Sequence, residues 1–127
     1  MRLKDKVAIV TGGGIGIGKA IATAFAREGA NLVIASPFPI ELEPTAKEIK
    51  SIGRKCLAVI TDVTDEKQVK NMVAETINQF GRIDILVNNA GIAGRTANVV
   101  DVELEDWNRT LAINLTGSLL CTREFVN

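Results

Sequence analysis

The feature that most constrains this chain is a glycine-rich turn between a short apolar run and a helical pattern. The apolar run is VAIV (residues 7–10), and the next stretch, TGGGIGIG (residues 11–18), has five glycines among its eight positions. Glycine inside a regular element is less favourable than alanine by roughly 0.5–1 kcal/mol. The cost is explained if a phosphate must reach the backbone N–H groups at the start of the helix, because side chains at these positions would block it. A plain strand-to-helix turn, the alternative, needs fewer glycines.

Apolar runs and helical patterns alternate along the rest of the chain. The runs typical of buried strands are residues 7–10, 32–35, 57–60 and 83–87. The helical patterns begin after the glycine turn, near Leu42, after Thr64 as predicted cap, and near Leu104, the last of them continuing almost to residue 127. Repeated strand–helix–strand units predict an α/β fold with a parallel sheet. We therefore expect one domain in which helices pack on a parallel sheet.

Composition argues against several kinds of partner and site. Fifteen basic residues balance fifteen acidic ones, and no basic stripe suggests nucleic acid as a partner. The absence of a long apolar run or a leader argues against a membrane and favours the cytoplasm. No histidine is present, so a Ser-His-Asp triad and a histidine-ligated metal site are excluded, and no metal is predicted. Cys56 and Cys121 are interpreted as small buried hydrophobes in a reducing compartment.

Four motifs along the chain, taken together, resemble those of the short-chain dehydrogenase/reductase family. In order, they are Thr11-Gly12-x-x-x-Gly16-Ile17-Gly18, Asp62-Val63, Asn88-Asn89-Ala90-Gly91, and Asn114 in the last helix. The chain is similar to the N-terminal half of such proteins, among them 3-oxoacyl-acyl-carrier-protein reductases and glucose or polyol dehydrogenases. The resemblance implies a Rossmann-type α/β domain, with four strands in the order 3-2-1-4 and helices on both faces. It also implies an oxidoreductase that transfers a hydride between NAD or NADP and an alcohol or carbonyl substrate.

The resemblance also implies a role for each motif. The residues that would surround the cofactor diphosphate are Gly12, Gly14, Ile15, Gly16, Ile17 and Gly18. Asp62 would accept a hydrogen bond from the adenine amino group, with Val63 against the ring. The residues that would line the adenosine ribose and the approach to the nicotinamide are Asn88, Ala90 and Gly91. Asn114 would have a supporting catalytic role, holding the helix geometry and a proton-relay water.

Each of the polar assignments has a simpler alternative. Asp62 could only cap the turn before Thr64, and Asn88 and Asn89 could be turn formers. Asn114 could be a helix asparagine bonded to nearby backbone. The sequence leaves these alternatives open.

The end of the second strand bears on the choice between NAD and NADP. An acidic residue there binds the ribose 2′-OH, whereas a nearby arginine accommodates a 2′-phosphate. The strand ends at Ser36-Pro37, with neither residue type directly after it. Since no carboxylate is expected there to repel a phosphate and Ser36 could donate to one, the sequence slightly favours NADP. Ser36 is therefore a further candidate cofactor residue.

The family resemblance implies a catalytic serine and a Tyr-x-x-x-Lys pair, in which the tyrosine serves as acid or base. The sequence contains no tyrosine. We therefore expect residues 1–127 to be an NAD(P)-binding domain that stops before the catalytic segment and is inactive alone, with a small-molecule substrate only in a complete enzyme. Homo-oligomerisation through residues 104–127 is also expected. The alternative is a non-catalytic dinucleotide-binding or oligomerisation module.

Overall fold

Four strands and five α-helices make up the chain in the computed structural model, which describes residues 1–127. The strands are β1 (Val7–Thr11), β2 (Asn31–Ser36), β3 (Cys56–Ile60) and β4 (Ile85–Val87). The helices are α1 (Gly16–Arg27), α2 (Pro39–Ser51), α3 (Glu66–Phe80), α4 (Leu104–Leu111) and α5 (Gly117–Val126). A 3-10 turn covers Val99–Asp101, and a π-helical turn, Ala112–Thr116, joins α4 to α5. No helix has both the length and the apolar character that crossing a bilayer requires.

The strands form one parallel sheet in the order β3-β2-β1-β4. β1 is central, and its Ile9 lies opposite Val33 of β2 and Leu86 of β4. Every residue of β1 is buried, as expected for a parallel strand that is covered on both faces. The predicted α/β class and the 3-2-1-4 order are confirmed. Because β2 and β4 lie on opposite sides of β1, the turn after β1 and the loop after β4 are neighbours at the same edge of the sheet.

Helices cover both faces of the sheet and create two apolar core groups. On one face, Val10 and Ile34 pack with residues of α1 and α2. On the other face, Ile9 and Val33 pack with residues of α3 and with Cys121 of α5. Full burial of such a side chain is worth about 1.5–3 kcal/mol. These two groups are therefore the main source of stability for the arrangement of the strand ends.

Several element boundaries differ from the predicted ones. α2 begins at Pro39, three residues before the predicted start, since the fixed φ of proline suits the first helical turn. The cap of α3 is Asp65 rather than Thr64: the Asp65 carboxylate accepts hydrogen bonds from the N–H groups two and three residues further on. β4 begins at Ile85, two residues later than predicted. Gly81, with φ 74°, ends α3 as predicted.

The long amphipathic helix predicted from Leu104 is interrupted by the π-helical turn. Turns of this kind are rare in helices and are frequent at functional sites. One side of the helix reaches the core through Cys121. The other side is apolar and exposed, and its members are Leu104, Trp107, Leu111, Leu115 and Leu119.

The start of β4 is joined to β1 by the carboxylate of Asp84. Asp84 Oδ2 accepts a hydrogen bond from Val7 N at 2.8 Å, and Asp84 N donates to Val7 O at 2.9 Å. Asp84 Oδ1 pairs with the Arg82 guanidinium at 2.6 Å. The hydrogen bond from Arg82, followed by the one from Val7 N, holds the pKa of Asp84 below its usual 3.8 against the opposing effect of burial.

We expect Asp84→Ala to lower the free energy of unfolding by about 1–3 kcal/mol at neutral pH, because two charge-assisted hydrogen bonds are lost. Asp84→Asn keeps an acceptor for Val7 N and should lose less. Since folding lowers this pKa, the carboxylate stabilises the fold above its unfolded-state pKa, and the contribution disappears as the pH falls through the folded-state value. Urea unfolding between about pH 6 and about pH 2 measures this, and Asp84→Asn should decline less steeply than wild type. Equal declines would contradict the role given to Asp84.

Candidate functional site

The carboxyl ends of the strands are held side by side at one edge of the sheet. Gly12 N donates to Ala35 O at 2.7 Å, and Thr61 N donates to Ser36 O at 2.9 Å, so the ends of β1, β2 and β3 are linked by backbone hydrogen bonds. The loop after β4 lies on the other side of β1. Ligands of open parallel α/β sheets bind at this edge.

The turn from β1 into α1 presents free backbone donors. Gly12 and Gly16 have φ values of 63° and 57°, in the region that favours glycine. The N–H groups of residues 16–18 donate to no acceptor in the chain, and Ile15 at the N-cap provides no side-chain cap. A Cβ at Gly16 would meet no atom within 4 Å, and the Ile15 and Ile17 side chains beside it are exposed. The turn therefore opens outward at the positive end of a helix dipole, which is an anion-binding geometry.

The inner side of the same turn is closely packed. A Cβ at Gly12 would lie 2.9 Å from Asn89 Nδ2, and a Cβ at Gly18 would overlap the carbonyl oxygen of Gly12. A Cβ at Gly14 would lie 2.8 Å from Glu41 O, at the start of α2. The glycines thus serve two purposes, since Gly16 leaves the outer side open and the other three allow close contact with neighbouring segments.

Thr11 fastens the loop after β4 to the end of β1. The buried Thr11 Oγ1 accepts hydrogen bonds from Asn89 N at 3.1 Å and Ala90 N at 3.0 Å, and donates to Val87 O at 3.3 Å. Asn89 Nδ2 donates to Gly12 O at 3.2 Å. Neither Thr11 nor Asn89 is among the site residues predicted from the sequence. The available signal was a polar residue that directly follows the apolar run of β1.

The same loop is tied to the long helix by Asn114. Asn114 Oδ1 accepts a hydrogen bond from Ile92 N at 2.8 Å, and Asn114 Nδ2 donates to Ile92 O at 2.7 Å. Gly91 lies against this pair, since its Cβ would be 3.1 Å from Asn114 Oδ1. Asn88 Nδ2 donates to Thr122 Oγ1 at 3.0 Å. Asn114 therefore bonds to backbone, as in the alternative interpretation, but its partner is the loop after β4 and not its own helix.

Asp62 and Val63 follow the end of β3. Asp62 Oδ1 accepts hydrogen bonds from Thr64 N at 2.9 Å and Thr64 Oγ1 at 2.7 Å. Asp62 thus caps the turn before Thr64, which was the alternative interpretation of this residue. Asp62 Oδ2 accepts no hydrogen bond within the chain. The Val63 side chain is buried and packs against Gly117 at the start of α5.

Ser36 ends β2 beside a carboxylate that the sequence analysis did not expect. Ser36 Oγ donates to Glu41 Oε1 at 3.1 Å and accepts from Phe38 N at 3.1 Å. The expectation of no carboxylate at this position is therefore wrong. Because α2 starts three residues after Ser36, its first turn brings Glu41 back to the end of β2.

The chain's thiols and acidic groups provide neither a metal site nor a thiolate nucleophile. No group of three or more His, Cys, Asp or Glu side chains is placed to hold a metal ion. Burial raises the pKa of both free cysteines, Cys56 and Cys121, to about 11, so neither is a thiolate nucleophile near neutral pH.

Comparison with known proteins decides the family. A family model described as short chain dehydrogenase matches residues 6–127. The chain belongs to the short-chain dehydrogenase family. The predicted resemblance is thereby confirmed, and so is the Rossmann-type fold, because the sheet order matches that of solved short-chain dehydrogenases.

Individual relatives agree with this assignment. An uncharacterised oxidoreductase of Thermotoga maritima is 42% identical over 95% of this chain and 47% of its own length. A 3-oxoacyl-[acyl-carrier-protein] reductase of the same organism is 39% identical over 99% of this chain and 51% of its own length. The crystal structure of a short-chain type dehydrogenase/reductase from Mycobacterium marinum superposes with a TM-score of 0.93, at 36% identity, over 97% of this chain and 49% of that one. The chain thus spans about half the length of the short-chain dehydrogenases it matches.

Proposed function

We propose that residues 1–127 form the NAD(P)-binding domain of an oxidoreductase that acts on an alcohol or carbonyl group. The observation that carries the proposal is the outward-opening glycine turn, where the N–H groups at the start of α1 have no acceptor in the chain. Membership of the short-chain dehydrogenase family supports it, since enzymes of this family use nicotinamide cofactors. The chain's contribution is to bind and orient the nucleotide, and the nicotinamide supplies the hydride chemistry.

The proposed roles follow the geometry of the strand ends. The diphosphate lies on the backbone N–H groups beside Gly16, while Gly12, Gly14 and Gly18 shape the turn beneath it. Asp62 Oδ2, which has no partner in the chain, is available to the adenine amino group. Val63 supports that position from the core. The segment that borders the ribose and the nicotinamide approach comprises Asn88, Ala90 and Gly91.

The catalytic half of the proposal concerns residues outside this chain. The serine and the Tyr-x-x-x-Lys pair that the family resemblance implies are proposed for a part of the protein beyond residues 1–127, so that this chain alone does not catalyse. Asn114 is proposed as a positioning residue, because its two bonds to Ile92 hold the loop beside the nicotinamide approach. By analogy with the 3-oxoacyl-[acyl-carrier-protein] reductase relative, the substrate is a carbonyl compound.

The assembly and location are proposed on separate observations. The exposed apolar face of residues 104–119 supports a homo-oligomer through the long helix, because patches of this kind are rarely left open on soluble monomers. Two free cysteines and no disulfide support a reducing compartment such as the cytoplasm. Sedimentation of the protein that the gene encodes measures its oligomeric state.

Two measurements test the proposal. The coding sequence after the codon for Asn127 shows whether a serine and Tyr-x-x-x-Lys follow in frame; a stop codon there would favour the non-catalytic module. Calorimetric titration of the encoded protein with NAD⁺ and with NADP⁺ should detect at least one nucleotide with a Kd between about 1 µM and about 1 mM, the range in which enzyme KM values usually lie. Failure of both nucleotides to bind would contradict the cofactor role. The slight preference for NADP predicted from the sequence assumed that no carboxylate lies at the end of β2. Because Glu41 lies there, the choice between NAD and NADP is open again.

A further inference from the structure

The first turn of α2 places a carboxylate at the end of β2. Ser36 is 3% exposed, and its hydroxyl proton is committed to Glu41 Oε1 at 3.1 Å. The same oxygen of Ser36 accepts from Phe38 N at 3.1 Å, which fixes the path of the chain into α2. Ser36 therefore has no proton left to donate to a phosphate, and the polar group presented at this strand end is the Glu41 carboxylate.

Two further contacts hold Glu41 against the glycine turn. Thr45 Oγ1, one helical turn after Glu41, donates to Gly14 O at 2.7 Å in a buried hydrogen bond. A Cβ at Gly14 would lie 2.9 Å from Glu41 Cβ, so the backbone of the glycine turn and the Glu41 stem are in direct contact. Glu41 is thus positioned between the end of β2 and the turn that would bind the diphosphate.

No positive charge neutralises this carboxylate. Glu41 takes part in none of the ion pairs of the structure. Residues 11–18 and 36–46 contain no lysine or arginine. A 2′-phosphate on the adenosine ribose would therefore meet an unpaired negative charge and no cation, whereas the free 2′-OH of NAD would meet a hydrogen-bond acceptor.

We propose that Glu41 selects NAD over NADP, by accepting a hydrogen bond from the adenosine ribose and repelling a 2′-phosphate. The proposal rests on the dinucleotide-binding function proposed above. It assigns to the first turn of α2 the acidic group that the end of β2 itself lacks.

The test compares both nucleotides on the encoded protein and two charge-matched variants. Calorimetry should give wild type a Kd for NAD⁺ at least about 10-fold lower than for NADP⁺, which corresponds to about 1.4 kcal/mol. Glu41→Gln should lower the ratio of the Kd for NADP⁺ to the Kd for NAD⁺ at least about 10-fold, since it removes the charge but keeps the shape of the side chain. Glu43→Gln removes the same charge from an exposed side chain without hydrogen bonds or ion pairs, and should keep the wild-type ratio.

The salt dependence of the wild-type ratio gives a second readout that needs no variant to fold. Screening should reduce the discrimination against NADP⁺ between roughly 0.05 M and roughly 0.5 M salt. A wild-type preference for NADP⁺, or an unchanged ratio in folded Glu41→Gln, would overturn the role of Glu41 while the dinucleotide function stands. If wild type binds neither nucleotide, the proposed function itself fails.

Discussion

Replacing Gly16 with aspartate is expected to weaken NAD(P) binding at least about 100-fold, equivalent to about 2.7 kcal/mol. A Cβ at this position would point into open space beside the free N–H groups of α1. The new carboxylate would therefore stand where the diphosphate is proposed to lie. Two unit charges about 4 Å apart repel by about 1 kcal/mol in water and about 4 kcal/mol near a protein surface, which accounts for a loss of this size.

Gly16→Asn is the matched control for this substitution. Asparagine has nearly the same shape as aspartate and, like it, tolerates the positive φ of 57° at this position. Because the nearest atoms lie beyond 4 Å, both variants should fold with a similar melting temperature. Calorimetric titration should show Gly16→Asp binding much more weakly than Gly16→Asn. If Gly16→Asp bound the nucleotide with wild-type affinity, the diphosphate would not bind at this turn.

Gly18→Ala is expected to have the largest effect on stability, lowering the free energy of unfolding by at least about 3 kcal/mol. One added methyl group would overlap the carbonyl oxygen of Gly12 and lie 2.5 Å from Asn89 Nδ2. The first of these atoms belongs to the backbone of the glycine turn, which cannot move without disturbing its contacts with the loop after β4. Overpacking of a core typically costs about 1–3 kcal/mol and occasionally more, and a backbone obstacle belongs at the upper end.

Gly53→Ala separates this overlap from the general cost of replacing a glycine. A Cβ at Gly53 would meet no atom within 4 Å, but its φ of 97° is unfavourable for alanine and should cost about 1–2 kcal/mol. Gly18 has no such backbone strain, so its loss should be purely steric. Urea unfolding of both variants measures the difference. A smaller loss in Gly18→Ala than in Gly53→Ala would show that Gly18 is not packed against the Gly12 carbonyl and Asn89.

The alternation of apolar runs and helical patterns was sufficient to predict the α/β class and the parallel sheet, whereas the strand order was predicted from the family resemblance. Residues 7–10 and 32–35 are apolar at every position, which is typical of strands buried on both faces. The boundaries were less predictable, because they depend on single contacts. Thr64 and Asp65 are both good capping residues, and only the backbone geometry decides that Asp65 caps α3.

The sequence predicted the site residues that directly follow a strand. It did not predict the residues that come later in the chain and fold back to a strand end. The glycine turn directly follows β1, so its position could be predicted from local spacing. Glu41 is five residues after Ser36 and reaches the end of β2 only because α2 starts early, at Pro39. Asn89 stands in the Asn88-Asn89-Ala90-Gly91 motif but was given no site role, and local spacing does not predict its contact with Gly12 across 77 residues of chain.

The central place of β1 has a consequence for the order of events during synthesis. β1 is synthesised well before β4, since their pairing joins Val10 to Val87. At 5–20 residues per second, the second edge of β1 stays open for roughly 4–16 s after β1 itself has emerged. During that interval a largely apolar strand has unpaired backbone groups with which another nascent chain can pair. The same topology that gathers the strand ends into one site therefore leaves one edge of β1 unpaired in the growing chain until β4 has been synthesised.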